Sequence, residues 1–141
     1  MHANLRRWLT WDDQPRNYYE LLGRPLFDPD VPSVLAAVRA LLREAMAGES
    51  HEDPAVAKRA LLLQRELGRA ELTFAQPDRL EEYRRVLAAE LCARLEAHDA
   101  GWQNWSTARL HDWLGREAGV QAAQFDVAAG LMRAPARSTT S

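Results

Sequence analysis

Residues 54–75 read PAVAKRALLLQRELGRAELTFA, and an apolar residue recurs there at every third or fourth position. This spacing places the apolar side chains along one face of an α-helix. The stretch therefore predicts a helix from about Pro54 to Ala75 with one buried face. The residues expected on that face are Val56, Ala60, Leu63, Leu67, Ala70 and Phe74.

The preceding residues predict a second helix that packs against the first, from about Ser33 to Ala47. A short polar loop, residues 48–53, separates the two stretches. Two long amphipathic helices joined by so short a loop can bury both apolar faces only as an antiparallel hairpin. The second helix contributes Val34, Val38, Leu41 and Ala45 to that interface.

Further helices are expected on both sides of the hairpin. A short helix from about Arg16 to Leu22 should end at Gly23, since glycine and the following Pro25 stop helices. After the hairpin, Pro77 is suited to the first turn of a helix that reaches about Ala97. Its apolar face comprises Leu80, Tyr83, Leu87, Leu91 and Leu95.

The C-terminal part predicts two shorter helices. Ser106 or Thr107 can cap a helix that runs to about Gly115, and Gly119 separates it from a last helix of about Ala122 to Met132. Alternating Val, Ile and Thr runs and hairpin-turn dipeptides are scarce, so the fold class is expected to be all-α.

This pattern predicts four segments in the chain. They are a leader at 1–16, a hairpin domain with an extended last helix at 17–97, a C-terminal helical hairpin at 98–133, and a disordered tail at 134–141.

Two segments resemble the J-domain, the DnaJ-like helical module that activates DnaK-class chaperones. Residues 17–23, NYYELLG, are similar to the family's opening helix, and residues 70–83, AELTFAQPDRLEEY, to the end of its long helix and the next helix. The leader and the linker at 25–30 are similar to J-like modules of planctomycete-type bacterial proteins. The resemblance implies a bacterial chaperone-related fold built on the predicted hairpin.

The family's activating His-Pro-Asp tripeptide is missing. The resemblance places it near residues 46–48, which are Met-Ala-Gly, and His51-Glu52-Asp53 lacks the proline. The resemblance therefore implies a noncatalytic protein-interaction module, a degenerate adaptor or regulatory subunit that does not stimulate a DnaK-class ATPase. Its partner would be such a chaperone, a J-protein or a larger assembly. An alternative is a J-shaped scaffold with a purely structural role.

The family's contact surface corresponds to the second helix and the following loop. The candidate partner-binding residues there are Arg39, Arg43, Met46, His51 and Asp53. A rival interpretation is an active cochaperone with displaced activating residues, in which His51 and Asp53 would carry the activity.

Tryptophans form a second candidate surface. Trp102, Trp105 and Trp113 crowd one short region, and such residues contribute disproportionately to protein binding. Alternatively, these indoles anchor the C-terminal extension to the rest of the chain, because they bury large apolar areas.

Residues 110–125 have the spacing of a helix-turn-helix, which makes a DNA-binding regulator a further alternative. A DNA-binding protein needs basic side chains that contact the phosphates, however. The helix that would enter the DNA groove, residues 121–132, includes Asp126 and no basic side chain. The formal net charge of −2 gives no electrostatic reason to expect nucleic acid or an anionic membrane as a partner.

Candidate catalytic and metal-binding residues are sparse. Cys92 and His98 are six positions apart and fall on different helix faces, and no pair of histidines has the four-residue spacing that preforms a metal site. We therefore expect no enzyme activity, no cofactor and no metal.

Composition indicates a cytoplasmic protein. A single cysteine excludes an intrachain disulfide, and no signal peptide or apolar run of about 20 residues is present. The sequence leaves open whether the chain dimerises through its surplus apolar positions Leu61, Leu62 and Leu72.

Overall fold

A computed structural model describes Trp8 and residues 15–133, and all regular structure in these residues is helical. This confirms the all-α class. The predicted tail at 134–141 and the leader apart from Trp8, Pro15 and Arg16 lie outside the described residues. Six helices are described, α1 (Tyr18–Leu21), α2 (Val31–Ala47), α3 (Pro54–Ala75), α4 (Pro77–His98), α5 (Thr107–Glu117) and α6 (Phe125–Arg133). Short 3₁₀ turns cover Gly48–Ser50, Trp102–Asn104 and Ala122–Gln124.

The described chain divides into two compact units. The first contains the described residues up to Arg24 together with Asp28–Glu81, and the second contains Pro25–Phe27 and the residues from Glu82 onward. The division falls inside α4. The segments expected from the sequence, with boundaries after residues 16, 97 and 133, stay a prediction.

Helices α2 and α3 form the antiparallel hairpin at the centre of the first unit. Arg39 in the middle of α2 pairs with Glu71 near the end of α3, whereas Gln64 in the middle of α3 donates to the carbonyl of Ala45 near the end of α2. Residue numbers thus rise along one helix as they fall along the other, as expected of an antiparallel pair. The buried side chains are those of the predicted faces except Val56: Val34, Val38, Leu41, Ala45, Ala60, Leu63, Leu67, Ala70 and Phe74.

Capping residues determine where these helices begin. Asp30 accepts the Ser33 amide at 3.2 Å, so α2 starts at Val31, before the predicted Ser33. Asp53 accepts the Ala55 amide at 2.9 Å, and α3 has the bounds expected from its sequence.

Helix α1 is a single turn held against α3. The Asn17 side chain accepts the Glu20 amide at 2.8 Å, which starts the helix later than predicted. Gly23 follows the helix with a φ of 67°, in the left-handed region that glycine tolerates, and there the helical path of the chain stops.

Aromatic side chains hold α1 in place. Tyr19 is fully buried, and its ring meets Phe74 edge-on with centroids 5.3 Å apart. The Trp8 indole N–H donates to the Leu21 carbonyl at 2.8 Å and holds the end of α1.

A buried carboxylate organises the linker between α1 and α2. Asp28 is 6% exposed, and it accepts the Arg24 guanidinium and the Asp30 amide. These bonds compensate the cost of burying the charge. They fix the position of Asp30, which is the cap of α2.

In the second unit, Gly119 separates α5 from the segment leading to α6. Its φ of 68° lies in the left-handed region, which confirms the predicted break. Helix α5 extends two residues beyond the predicted end at Gly115, and the stretch predicted to open the last helix at Ala122 forms a 3₁₀ turn before α6. The buried apolar side chains of the three helices in this unit are Leu87, Ala88, Leu91, Leu95, Leu110, Trp113, Leu114, Ala128 and Met132.

Candidate functional site

The tip of the hairpin, residues 46–53, has a locally hydrogen-bonded backbone. The His51 amide donates to the Gly48 carbonyl at 3.1 Å, and His51 Nδ1 accepts the Asp53 amide at 3.0 Å. The Asp53 carboxylate in turn caps α3. His51 and Asp53 are exposed neighbours whose side chains already have bonding roles in holding the loop.

The predicted residues of α2 lie on the exposed part of the same hairpin. Arg39 is engaged by Glu71 at 3.5 Å, whereas Arg43 is exposed beside it. Met46 is 56% exposed at the start of the tip. The hairpin thus brings the five predicted residues onto α2 and its tip, with Arg39 partly neutralised.

The three predicted tryptophans are buried in the second unit. Trp102 donates its indole N–H to Glu96 at 2.8 Å, and Trp105 donates its own to Asp99 at 2.8 Å. Trp113 is 6% exposed. Since their rings are covered, the arrangement favours the structural interpretation of these residues, and a partner-binding role stays a prediction.

Trp105 is surrounded by polar and cationic groups. The Arg109 guanidinium lies 3.9 Å from its ring centroid, and His98 meets the ring edge-on at 6.0 Å. Arg133 donates to the Trp105 carbonyl at 3.1 Å. That bond engages the only basic side chain of α6, the helix considered above for DNA recognition.

Asp99 has a lowered pKa, chiefly because its carboxylate accepts the Trp105 indole N–H. The Gly101 amide, which donates at 2.8 Å, and the Arg109 charge act in the same direction. A carboxylate with a lowered pKa in the folded state stabilises the fold above its ordinary pKa near 3.8, and this contribution is lost as the pH falls through the lowered value.

We expect Asp99→Asn to weaken the acid dependence of stability below about pH 4, because the substituted amide cannot be protonated in this range. Thermal unfolding followed by circular dichroism from neutral to acidic pH measures the effect. Asp112→Asn, which removes a negative charge from an exposed ion pair of the same unit, is the matched control. Identical acid profiles for the unmodified protein and Asp99→Asn would contradict the assignment.

The side chains considered for catalysis and metal binding are dispersed. Cys92 donates its thiol to the Met132 carbonyl at 3.3 Å, and burial together with Glu96 raises its pKa, which favours the unreactive thiol. His111 stacks on Phe125 with centroids 4.6 Å apart. Within the part of the chain that the structure describes, no three His, Cys, Asp or Glu side chains are grouped to hold a metal ion.

The outer face of α3, defined as Lys58, Leu61, Arg65, Gly68 and Leu72, was not among the candidate binding residues, although its two leucines were among the apolar positions considered for dimerisation. Leu61 and Leu72 are each 50% exposed there, and Leu62 beside them is 51% exposed. Gly68 lies between them, and a Cβ atom added to it would meet nothing within 4 Å. The signal is present in the sequence, because residues 58, 61, 65, 68 and 72 have a second three-four spacing on the side opposite the buried face.

No protein-family model, curated protein or solved structure matches this chain. Among Trp8 and residues 15–133, no helix combines the length and the apolar character needed to cross a bilayer.

Proposed function

We propose that this chain is a noncatalytic protein-interaction module of the J-like type, which acts as an adaptor or regulatory subunit and does not stimulate a DnaK-class ATPase. Support comes from the order of its elements. A one-turn helix with the sequence YYEL precedes a long antiparallel hairpin, and a further helix opens at Pro77. This is the order that the sequence resemblance implies.

The observation that carries the proposal is the chemistry of the hairpin tip. Its first residues are Met46, Ala47 and Gly48, which offer neither an imidazole nor a carboxylate. The Asp53 carboxylate caps α3, and His51 Nδ1 accepts a backbone amide. The tip can therefore be contacted by a partner, while the groups that would activate a chaperone are absent or used within the loop.

An active cochaperone with displaced activating residues is the second candidate. It is favoured by the exposure of His51 and Asp53, and by the 3.0 Å bond that keeps them adjacent. Both candidates use the same surface, and they differ in whether a chaperone ATPase responds.

We expect the intact protein to leave the ATP turnover of a DnaK-class chaperone unchanged, measured by steady-state phosphate release beside an active J-protein. The informative variants are His51→Ala and Asp53→Asn. Asparagine caps helices as well as aspartate does, so Asp53→Asn removes the charge without unwinding α3. Stimulation by the intact chain that either variant abolishes would establish the second candidate instead.

A further inference from the structure

Helix α3 has two faces with the same spacing, and only one of them is used within the hairpin. Its inner face carries the buried residues from Ala60 to Phe74. Its outer face, defined as Lys58, Leu61, Arg65, Gly68 and Leu72, repeats the three-four spacing two positions out of register, which rotates it to the opposite side. Amphipathic helices normally expose polar residues on that side.

The leucines of the outer face are open to solvent. Leu61 and Leu72 are both half-exposed and lie 11 positions apart, which is three helical turns, and the equally exposed Leu62 borders this face. Single exposed apolar residues are common, but a stripe at helical spacing is the pattern by which one helix recognises another.

Gly68 indicates that a helix docked on the outer face can approach the α3 backbone closely. Glycine inside a helix destabilises it relative to alanine. Open space surrounds the position where its Cβ would be, so the packing of this chain does not require glycine there. A missing side chain between exposed leucines allows another helix backbone to come near.

The charges of α3 indicate which side chains the approaching helix should carry. Helix α3 carries four basic and two acidic side chains, a net charge of +2, whereas the whole chain has a net charge of −2. Both acids are engaged, Glu66 by Arg69 at 3.0 Å and Glu71 by Arg39 at 3.5 Å. Among the described residues, the structure records no carboxylate partner for Lys58 or Arg65 on the outer face.

From these observations we propose that the outer face of α3 is a docking surface for an acidic amphipathic helix of a partner protein. The apolar seam of the partner covers Leu61 and Leu72 across Gly68, and its carboxylates pair with Lys58 and Arg65. This inference rests on the proposed function as an interaction module, and it names a surface separate from the hairpin tip.

The same charges disfavour the other occupants. A second copy of this chain would bring the uncompensated Lys58 and Arg65 of both copies into one interface, where like charges repel. An anionic membrane is attracted by clusters of several basic residues, whereas this face has two uncompensated cations and gains nothing from Gly68.

The test uses two synthetic three-heptad peptides of about 21 residues with the same leucine and alanine seam. One has glutamate at the flanking positions and the other has lysine. We expect the glutamate peptide to bind the full chain at least about tenfold more tightly at low salt, measured by fluorescence anisotropy. The double variant Lys58→Glu with Arg65→Glu should reverse the preference, and Arg79→Glu, an exposed charge reversal on α4, should leave it unchanged.

Gly68→Ala separates docking from folding. The added methyl group should raise the melting temperature of the chain and yet weaken binding of the glutamate peptide about fivefold or more, because it holds the two helices apart. Leu61→Ala should also weaken binding. Val86→Ala, a truncation at a comparably exposed position of α4, is its control.

Four results would overturn the inference. They are equal binding of the two peptides, no binding of either up to about 1 mM, binding to anionic vesicles that Arg65→Glu abolishes, and a dimer in sedimentation that Leu61→Ala dissociates. None of these results depends on the chaperone ATPase assay. Failure of this inference is thus distinguishable from failure of the proposed function.

Discussion

Tyr19→Ala is expected to lower the free energy of unfolding by about 3–5 kcal/mol, among the larger losses for a single truncation in this chain. The Tyr19 side chain is fully buried and meets Phe74 edge-on. Truncation leaves a cavity between α1 and α3 and removes the aromatic contact. Urea unfolding followed by circular dichroism measures the loss.

Tyr18→Ala is the matched control, because it removes the same side chain from the adjacent position. Tyr18 is partly exposed, and its ring centroid lies 6.4 Å from that of Phe74. We expect it to cost less than half as much. Equal losses for the two variants would show that α1 is not held against α3 by Tyr19.

Trp102→Ala is expected to have an effect of similar size in the second unit, about 3–5 kcal/mol. The indole is 1% exposed, and its N–H donates to Glu96. Truncation removes the apolar contact of the ring and this bond together. The same urea unfolding experiment, followed by tryptophan fluorescence as well, reports the change.

Trp102→Phe divides this effect into its parts. Phenylalanine keeps most of the apolar ring and loses the indole N–H, so the hydrogen bond to the Glu96 carboxylate should account for about 1.5–3 kcal/mol of the loss. A Trp102→Ala variant as stable as the unmodified protein would contradict the anchoring role of this residue.

The long helices were predictable because burial imposes their spacing on the sequence. The buried face of α3 can be read from Ala60 to Phe74, and the short loop before Pro54 requires the chain to turn back. The first residues of the helices were less predictable, since they depend on individual capping hydrogen bonds. Because Asp30 caps α2, that helix begins at Val31, and because a 3₁₀ turn precedes α6, that helix begins at Phe125.

The candidate site was predictable only in part. The family resemblance pointed to the hairpin tip and the basic residues of α2 as candidates, but the pairing of Arg39 with Glu71 depends on the register of two helices and is absent from any local pattern. Burial of Trp102 likewise depends on tertiary packing. Leu61 and Leu72 of the outer face of α3 were recognisable as surplus apolar positions, but their exposure depends on tertiary packing, because Leu61 lies in the same apolar run as the buried Leu63.

The outer face of α3 also carries a side chain that can be modified selectively. Lys58 is exposed there, and it is the only lysine among the 141 residues. Apart from an α-amino group, an amine-directed cross-linker therefore reacts at this one position. Any polypeptide that becomes covalently attached through that lysine must have been within the reach of the cross-linker from this face of α3, and mass spectrometry of the joined fragments would identify which of its segments was there.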